Sequence, residues 1–167
     1  MNEQLATTPA TSRDGSRGKR RLPICVATVL HIDDDPNDTE LLRAAARRAG
    51  AEFLLHNVND GEQAIAYLSG QGLFADRQVY QRPSLVLLDL KMPRATGFEI
   101  LGWIRNHAEL GKIPVVVLSG SELKADIQRA YDIGANSYLI KPPGFQDLVQ
   151  LVRSLHAVWL ANPPQQG

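Results

Sequence analysis

The stretch that decides the fold reads Val26-Ala27-Thr28-Val29-Leu30-His31-Ile32-Asp33-Asp34-Asp35-Pro36. Its apolar part predicts a β-strand over 26–32, because a short apolar run bounded by turn residues is typical of a buried strand. Asp35 followed by Pro36 is a favourable pair for capping and starting a helix, and Gly50 is suited to end that helix. The stretch therefore predicts a strand that leads directly into a helix, with a run of aspartates at the junction.

The same alternation of short apolar runs and amphipathic runs continues along the chain. Further strands are predicted over 53–58, 85–88, 115–118 and 138–140, and further helices over 61–68, 98–106, 124–133 and 145–160. Strands alternating with helices predict an α/β fold, in which a parallel sheet carries helices on both faces. We expect a doubly wound, five-stranded sheet of the flavodoxin-like order 2-1-3-4-5.

Length and composition suit one domain with two tails. The chain has 167 residues, of which 44% are apolar, so a sizeable core can be buried. A disordered basic tail is expected over 1–22, a single domain over 23–161 and a second disordered tail over 162–167. The basic run Lys19-Arg20-Arg21 could contact nucleic acid or a membrane, but a solvated terminus explains it more simply.

Charge, cysteine content and hydropathy exclude several classes of protein. Lys and Arg together number 18, as do Asp and Glu, so the formal net charge of zero argues against nucleic-acid binding through bulk charge. The single cysteine, Cys25, allows no intrachain disulfide and is expected to be a small buried apolar side chain. No apolar run approaches the roughly 20 residues that span a bilayer. We expect a cytoplasmic protein with neither nucleic acid nor membrane as a partner.

Reactive side chains follow directly after four of the five predicted strands. Asp33 and Asp34 follow the first strand, and Asp89 follows the third. Ser119 follows the fourth strand and Lys141 the fifth. These strands are neighbours in the predicted sheet, and such sheets bind ligands at the carboxyl ends of their strands. We therefore expect the carboxylates, the hydroxyl group and the ammonium group to converge in one cleft.

This combination of groups is suited to phosphoryl transfer. Clustered carboxylates raise one another's pKa values unless a cation is present, and hard oxygen ligands on loops favour Mg²⁺. A carboxylate such as that of Asp89 can act as the nucleophile towards a phosphoryl donor and form an aspartyl phosphate. The ammonium of Lys141 and the hydroxyl of Ser119 can then stabilise the charge of the transferred group.

Each candidate residue also has a purely structural interpretation. The run Asp33–Asp35 could complement a helix N-terminus, and Asp89 could form a turn. Ser119 could cap the turn that follows it, and Lys141 could be a solvated loop lysine. His31 is expected to pack in or beside the core, because it has no serine or cysteine partner for catalysis.

Four segments, in this order, resemble the receiver domain of bacterial two-component response regulators. They are VLHIDDD at 29–35, LLDLKMP at 87–93, IPVVVLSG at 113–120 and GANSYLIKP at 134–142. The resemblance covers about residues 24–160 and implies a signalling protein, not an enzyme, that accepts a phosphoryl group from a sensor histidine kinase. The competing possibilities are a receiver fold that binds partners without phosphorylation and a phosphatase of the haloacid-dehalogenase type. The phosphatase pattern requires a second aspartate two residues after the nucleophile, and this chain has Lys91 at that position.

The resemblance implies a role for each candidate residue. Asp89 is similar to the phosphoacceptor, and Asp33 and Asp34 to the acidic pair at the Mg²⁺ site, with Asp34 the more direct ligand. The backbone carbonyl of Lys91 matches a third protein ligand of the metal, and Ser119 matches the switch hydroxyl.

Two further residues resemble parts of the receiver switch. Tyr138 matches the aromatic residue whose rotamer reports activation. Lys141 matches the lysine that pairs with the phosphate, and its peptide bond to Pro142 is expected to be cis.

Two other features resemble a subgroup of single-domain regulators that includes partners of bacterial phytochrome kinases. The link 70–83 is longer than in the usual receiver, and the last predicted helix ends in Val158-Trp159-Leu160. The resemblance implies a phytochrome-type kinase and an unknown downstream protein as partners. It also implies a homodimer through the face formed by helix four, strand five and helix five.

Overall fold

A five-stranded, parallel sheet forms the centre of the molecule in the computed structural model, which describes residues 26–93 and 96–161. Its strands are β1 Thr28–Ile32, β2 Leu54–Val58, β3 Leu85–Leu88, β4 Val115–Ser119 and β5 Ser137–Ile140. They lie in the order β2-β1-β3-β4-β5, so the predicted fold class is confirmed. The predicted tails over 1–22 and 162–167, and Cys25, lie outside the described residues and stay predictions.

Five α-helices connect and cover the strands. They are α1 Pro36–Ala49, α2 Gly61–Ser69, α3 Gly97–Asn106, α4 Lys124–Ile133 and α5 Phe145–Leu155. The prediction of one helix over 145–160 is wrong in its last part, because His156–Leu160 continues α5 as a π-helical segment. In this segment the Ala161 N–H donates to the carbonyl of His156, which is five residues earlier in the chain, whereas an α-helix uses the carbonyl four residues earlier. No helix among the described residues has the length and apolar character needed to cross a membrane.

The two faces of the sheet are buried in separate apolar clusters. Alternate side chains of a strand point to opposite faces, so Leu30 and Ile32 pack in one cluster and Val29 in the other. The first cluster contains residues of α2, α3 and α4, and the second contains residues of α1 and α5. β3 and β4 are buried along their whole length, which agrees with sequences that are apolar apart from Ser119 at the end of β4.

The first strand–helix unit forms as its sequence predicts. The carboxylate of Asp35 accepts a hydrogen bond of 2.8 Å from the Asn37 N–H, and Asp35 is thus the N-cap of α1. Gly50 ends α1 in the left-handed region with φ 66°. This cap fixes the first turn of α1 directly beside the end of β1, where the candidate site lies.

The long link between α2 and β3 is folded onto the molecule. The ring of Phe74 lies 5.2 Å from that of Tyr67, and the ring of Tyr80 lies 6.0 Å from it. The Arg77 guanidinium donates hydrogen bonds to the carbonyls of Tyr67, Leu68 and Tyr80. The link therefore has its own small aromatic core at the C-terminus of α2.

Candidate functional site

Three carboxylates meet at the carboxyl end of the sheet. The Asp33 N–H donates to the Val58 carbonyl at 3.1 Å and the Asp89 N–H to the Ile32 carbonyl at 3.0 Å, so sheet-like hydrogen bonds place both residues. Asp33 and Asp89 are buried, with 1% and 6% of their surfaces exposed, whereas Asp34 is exposed. Carboxylate oxygens of all three lie within 4.8 Å of one another. A group of this kind, with one member open to solvent, could hold a divalent cation.

Lys141 completes the cluster from the end of β5. Its backbone N–H donates to the Ser119 carbonyl at 2.9 Å, which holds the chain at the sheet edge. Its Nζ lies 2.7 Å from Asp33 Oδ2 and 3.4 Å from Asp89 Oδ2. Burial alone would lower the pKa of Lys141, but hydrogen bonds to Asp33 and Asp38 outweigh it and raise that pKa well above its ordinary value. The ammonium is therefore charged throughout the physiological range.

The carboxylate of Asp33 is held in its ionised form. Burial opposes this, but hydrogen bonds from His31, Lys141 and the Asp35 N–H outweigh the burial and lower the pKa of Asp33 to about 2. His31 Nε2 lies 3.4 Å from Asp33 Oδ2, and its Nδ1 lies 3.2 Å from Thr39 Oγ1. His31 is 1% exposed, as expected for a structural histidine, and it orients Asp33 from within the core.

The pKa of Asp89 is shifted in the opposite direction from that of Asp33. Burial raises its pKa above the ordinary value, and the nearby charge of Asp33 adds to this, while Lys141 acts in the other direction. The pKa values of the two carboxyl groups differ because Asp33 has His31 as a close partner and is also closer than Asp89 to the Lys141 ammonium. An additional cation beside Asp89 would therefore favour its ionised, nucleophilic form.

Ser119 and Tyr138 are connected through Ser121. Ser119 is fully buried at the end of β4, and its Oγ accepts a hydrogen bond of 3.3 Å from the Ser121 N–H. The Tyr138 hydroxyl donates to the Ser121 carbonyl at 2.9 Å, and its ring packs against the apolar cluster of α2, α3 and α4. Ser121 Oγ in turn donates to Asp126 in α4. A chain of hydrogen bonds thus runs from the end of β4 to α4 and β5.

The remaining predictions for the site have mixed outcomes. The Lys91 backbone lies close enough to the Asp89 carboxyl group to lower its pKa, although burial outweighs this contribution. The role of the Lys91 carbonyl stays a prediction. The predicted cis bond between Lys141 and Pro142 is wrong, because that bond is trans. The trans isomer is intrinsically favoured, and the backbone bond from Lys141 to Ser119 already directs the lysine side chain into the site.

Asp38 is the site residue that sequence reasoning misses. It lies in the first turn of α1, and its Oδ2 is 2.6 Å from Lys141 Nζ. Side chains of a helix tilt towards its N-terminus, so an acid three positions after the cap residue Asp35 leans back towards the end of β1. This position is the signal in the sequence that could have identified it.

The carboxylate cluster, the opposing lysine and the buried serine lie at the strand ends of a 2-1-3-4-5 sheet. Residues 29–153 match the family model of the response regulator receiver domain. The chain belongs to this family. Receiver domains act in two-component signal transduction, where they interact with histidine kinases and signal through phosphorylation, and the chain is a receiver of this kind.

Several similar proteins are phytochrome response regulators or act in light signalling. Response regulator Rcp1 of Synechocystis sp. is 33% identical over 132 residues, which cover 79% of this chain and 88% of Rcp1. Phosphorylated RcpA, a cyanobacterial phytochrome response regulator, is 33% identical with a TM-score of 0.76 over 84% of this chain and 99% of RcpA. RPA3017, from red light signalling of R. palustris, is 38% identical with a TM-score of 0.79 over 84% of this chain and 100% of RPA3017.

A solved structure of Rcp1 contains Mn²⁺. It has a TM-score of 0.70 and 30% identity to this chain, and the match covers 84% of this chain and 97% of that structure. A divalent metal is thus bound by a protein of the same family.

Proposed function

We propose that Asp89 accepts a phosphoryl group from a phosphohistidine of a sensor kinase. The observation that carries this proposal is the position of Asp89, a buried carboxylate that lies 3.4 Å from the Lys141 ammonium and within 4.8 Å of Asp33 and Asp34. An Asp89 oxygen attacks the phosphorus atom, and an O–P bond forms as the N–P bond to the kinase histidine breaks. The electron pair of that bond stays on the nitrogen, which leaves as neutral imidazole when its other nitrogen carries a proton.

Mg²⁺ is the metal proposed for the acidic cluster. Asp33, Asp34 and Asp89 supply carboxylate oxygens close enough to share one ion, and the exposed position of Asp34 suits a direct ligand that leaves room for water. The backbone carbonyl of Lys91 is proposed as a further protein ligand beside these carboxylates. When bound, the ion supplies positive charge that stabilises the oxygens of the transferred group. The Mn²⁺ in Rcp1 supports a divalent cation in this family.

Phosphorylation is proposed to act through Ser119 and Tyr138. A phosphoryl group adds about −1.5 to −2 charge and strong acceptor oxygens. Ser119 Oγ, which accepts from the Ser121 N–H in the present state, then donates its own hydrogen to the phosphoryl group. Its movement loosens the loop that holds the Tyr138 hydroxyl, and the face of α4, β5 and α5 changes its affinity for partners.

The kinase is proposed to be of the phytochrome type. The support is the likeness to RcpA and Rcp1 and the long link between α2 and β3, which this chain folds into a defined unit. The downstream partner is a protein that distinguishes the two states of the α4, β5 and α5 face, or a second copy of this chain.

Labelling with acetyl phosphate or with a phosphorylated kinase tests the acceptor. The wild-type protein is expected to become labelled in a reaction that requires Mg²⁺, and Asp89→Asn is expected to lose at least roughly 90% of the label, since the amide oxygen is a poor nucleophile. Glu40→Gln, which removes an exposed carboxylate of α1, is the control and is expected to label like the wild type. Equal labelling of wild type and Asp89→Asn would overturn the proposal and favour a phosphorylation-independent interaction module.

A further inference from the structure

The Lys141 ammonium is surrounded by three carboxylates. Its Nζ lies 2.6 Å from Asp38, 2.7 Å from Asp33 and 3.4 Å from Asp89. An ammonium group has three hydrogens to donate, so the two shorter contacts use two of them. The shortest contact is with Asp38, which takes no part in the proposed metal site.

Asp38 and Lys141 connect two separate parts of the molecule. Asp38 belongs to the first turn of α1, and Lys141 follows β5 at the start of the turn into α5. Both residues line a cavity of about 50 Å³ whose other walls include Leu41, Leu118 and Leu148. The lysine side chain thus passes beside a partly apolar cavity, and its ammonium contacts the acidic groups at its tip.

We infer that Asp38 is a positioning residue that competes with the phosphoryl group for Lys141. This inference rests on the proposed function, in which Lys141 pairs with a phosphoryl group on Asp89. To do so, the ammonium must move from its position near Asp38 and Asp33 towards Asp89. Asp38 opposes this movement because its carboxylate attracts the ammonium. Asp38 therefore sets how strongly the site binds the phosphoryl group.

The two possible roles of Asp38 predict opposite effects of its removal. If Asp38 were only a structural partner of Lys141, its loss would weaken both the fold and phosphoryl binding. If it competes, the loss weakens the ligand-free fold slightly but strengthens phosphoryl binding. The side chain of Asp38 is 33% exposed and that of Lys141 22%, so both effects are expected to be moderate.

Calorimetric titration with beryllofluoride in the presence of Mg²⁺ measures phosphoryl-like binding without a transfer step. Asp38→Asn is expected to bind beryllofluoride roughly two- to five-fold more tightly than the wild type. Asp38→Glu, which restores the charge, is expected to return the affinity towards the wild-type value. Glu40→Gln removes the same charge from the same helix, where Glu40 pairs with Arg43 at 3.6 Å, and is expected to leave the affinity unchanged. Titration with Mg²⁺ alone measures any change in metal affinity, which can then be distinguished from a change in beryllofluoride affinity.

A double-mutant cycle tests whether Asp38 acts through Lys141. In a Lys141→Met background, Asp38→Asn is expected to change beryllofluoride affinity by less than about 1.5-fold, because the ammonium for which Asp38 competes is absent. Unchanged or weaker binding by Asp38→Asn, or an equal gain in both backgrounds, would overturn this inference alone. A wild-type protein that fails to bind beryllofluoride would contradict the proposed function itself, and this inference with it.

Discussion

At the scale of single residues, the site is a balance between one ammonium and several carboxylates. Asp33 is ionised although it is buried, because His31 and Lys141 both contact it, whereas burial raises the pKa of Asp89, which lies further from Lys141. A second cation in the site would therefore favour ionisation of Asp89 more than that of Asp33, which is already ionised. This arrangement makes Lys141 important for the stability of the ligand-free protein, in addition to its proposed role in phosphoryl binding.

Lys141→Met is expected to lower the free energy of unfolding by about 2–3 kcal/mol in the absence of divalent cations. The substitution leaves the buried Asp33 carboxylate without its strongest counter-charge, and uncompensated buried charges are costly. Urea denaturation with a chelator present measures the loss. Added Mg²⁺ is expected to recover part of it, since an ion between the carboxylates replaces the lost charge. Lys124→Met, at the start of α4, is the control and is expected to change stability by less than about 0.5 kcal/mol.

The convergence of Asp33, Asp34, Asp89 and Lys141 could be predicted because each follows a strand, and strand ends in a parallel sheet converge. Asp38 could not be predicted with the same ease, because its contact depends on the path of a long lysine side chain from β5. The isomer of the peptide bond before Pro142 could not be predicted from the sequence either, because the free energies of the cis and trans forms differ by only about 0.5–1 kcal/mol.

At the scale of elements, the link between α2 and β3 is the part in which the structure adds most to the sequence. The strands and helices follow from apolar periodicity, but 70–83 has no such period. Its order comes from tertiary contacts, in which Phe74 and Tyr80 pack on Tyr67 and Arg77 binds carbonyls at the end of α2. The π-helical end of α5 could not be predicted for a different reason, because its apolar spacing is indistinguishable from that of an α-helix over so short a segment.

His56 makes this aromatic unit sensitive to pH. Its ring lies 5.6 Å from Tyr67 and 5.5 Å from Tyr80, and burial, with a smaller contribution from Arg43, lowers the pKa of His56 below 6.5. The unfolded chain then binds a proton more readily than the folded one, so this group's contribution to stability is complete above about pH 6.5 and is lost as the pH falls from there through its folded-state pKa.

His56→Phe keeps an aromatic ring against Tyr67 but removes the titration. Urea midpoints at about pH 7.5 and about pH 5.5 are expected to differ less for the variant than for the wild type, with the other histidines contributing equally to both. The midpoints at the higher pH are expected to be similar, which serves as the control for packing. An identical loss of stability in the two proteins on acidification would show that His56 does not carry the effect.

At the scale of the whole molecule, the candidate site and the α4, β5 and α5 face are joined by short-range contacts. Ser119 accepts from Ser121, Ser121 accepts from Tyr138, and the Tyr131 hydroxyl of α4 accepts from the Tyr138 N–H. Apolar side chains are exposed on the elements of this face and its extension, namely Leu123, Tyr131, Phe145 and Val158. These contacts connect the candidate site to elements that carry exposed apolar side chains.

Val158→Arg tests whether this surface forms the proposed homodimer. Val158 is 70% exposed in the π-helical segment, and an arginine there would have to be desolvated in an apolar interface. The wild type is expected to dimerise more tightly with Mg²⁺ and beryllofluoride than without, and Val158→Arg is expected to weaken the dimer at least roughly ten-fold by sedimentation analysis. Leu73→Arg places the same charge on an 87% exposed leucine of the link between α2 and β3 and is expected to dimerise normally. A dimer that tolerates Val158→Arg but not Leu73→Arg would show that the interface lies at the link between α2 and β3. It would then not involve the elements that phosphorylation is proposed to change.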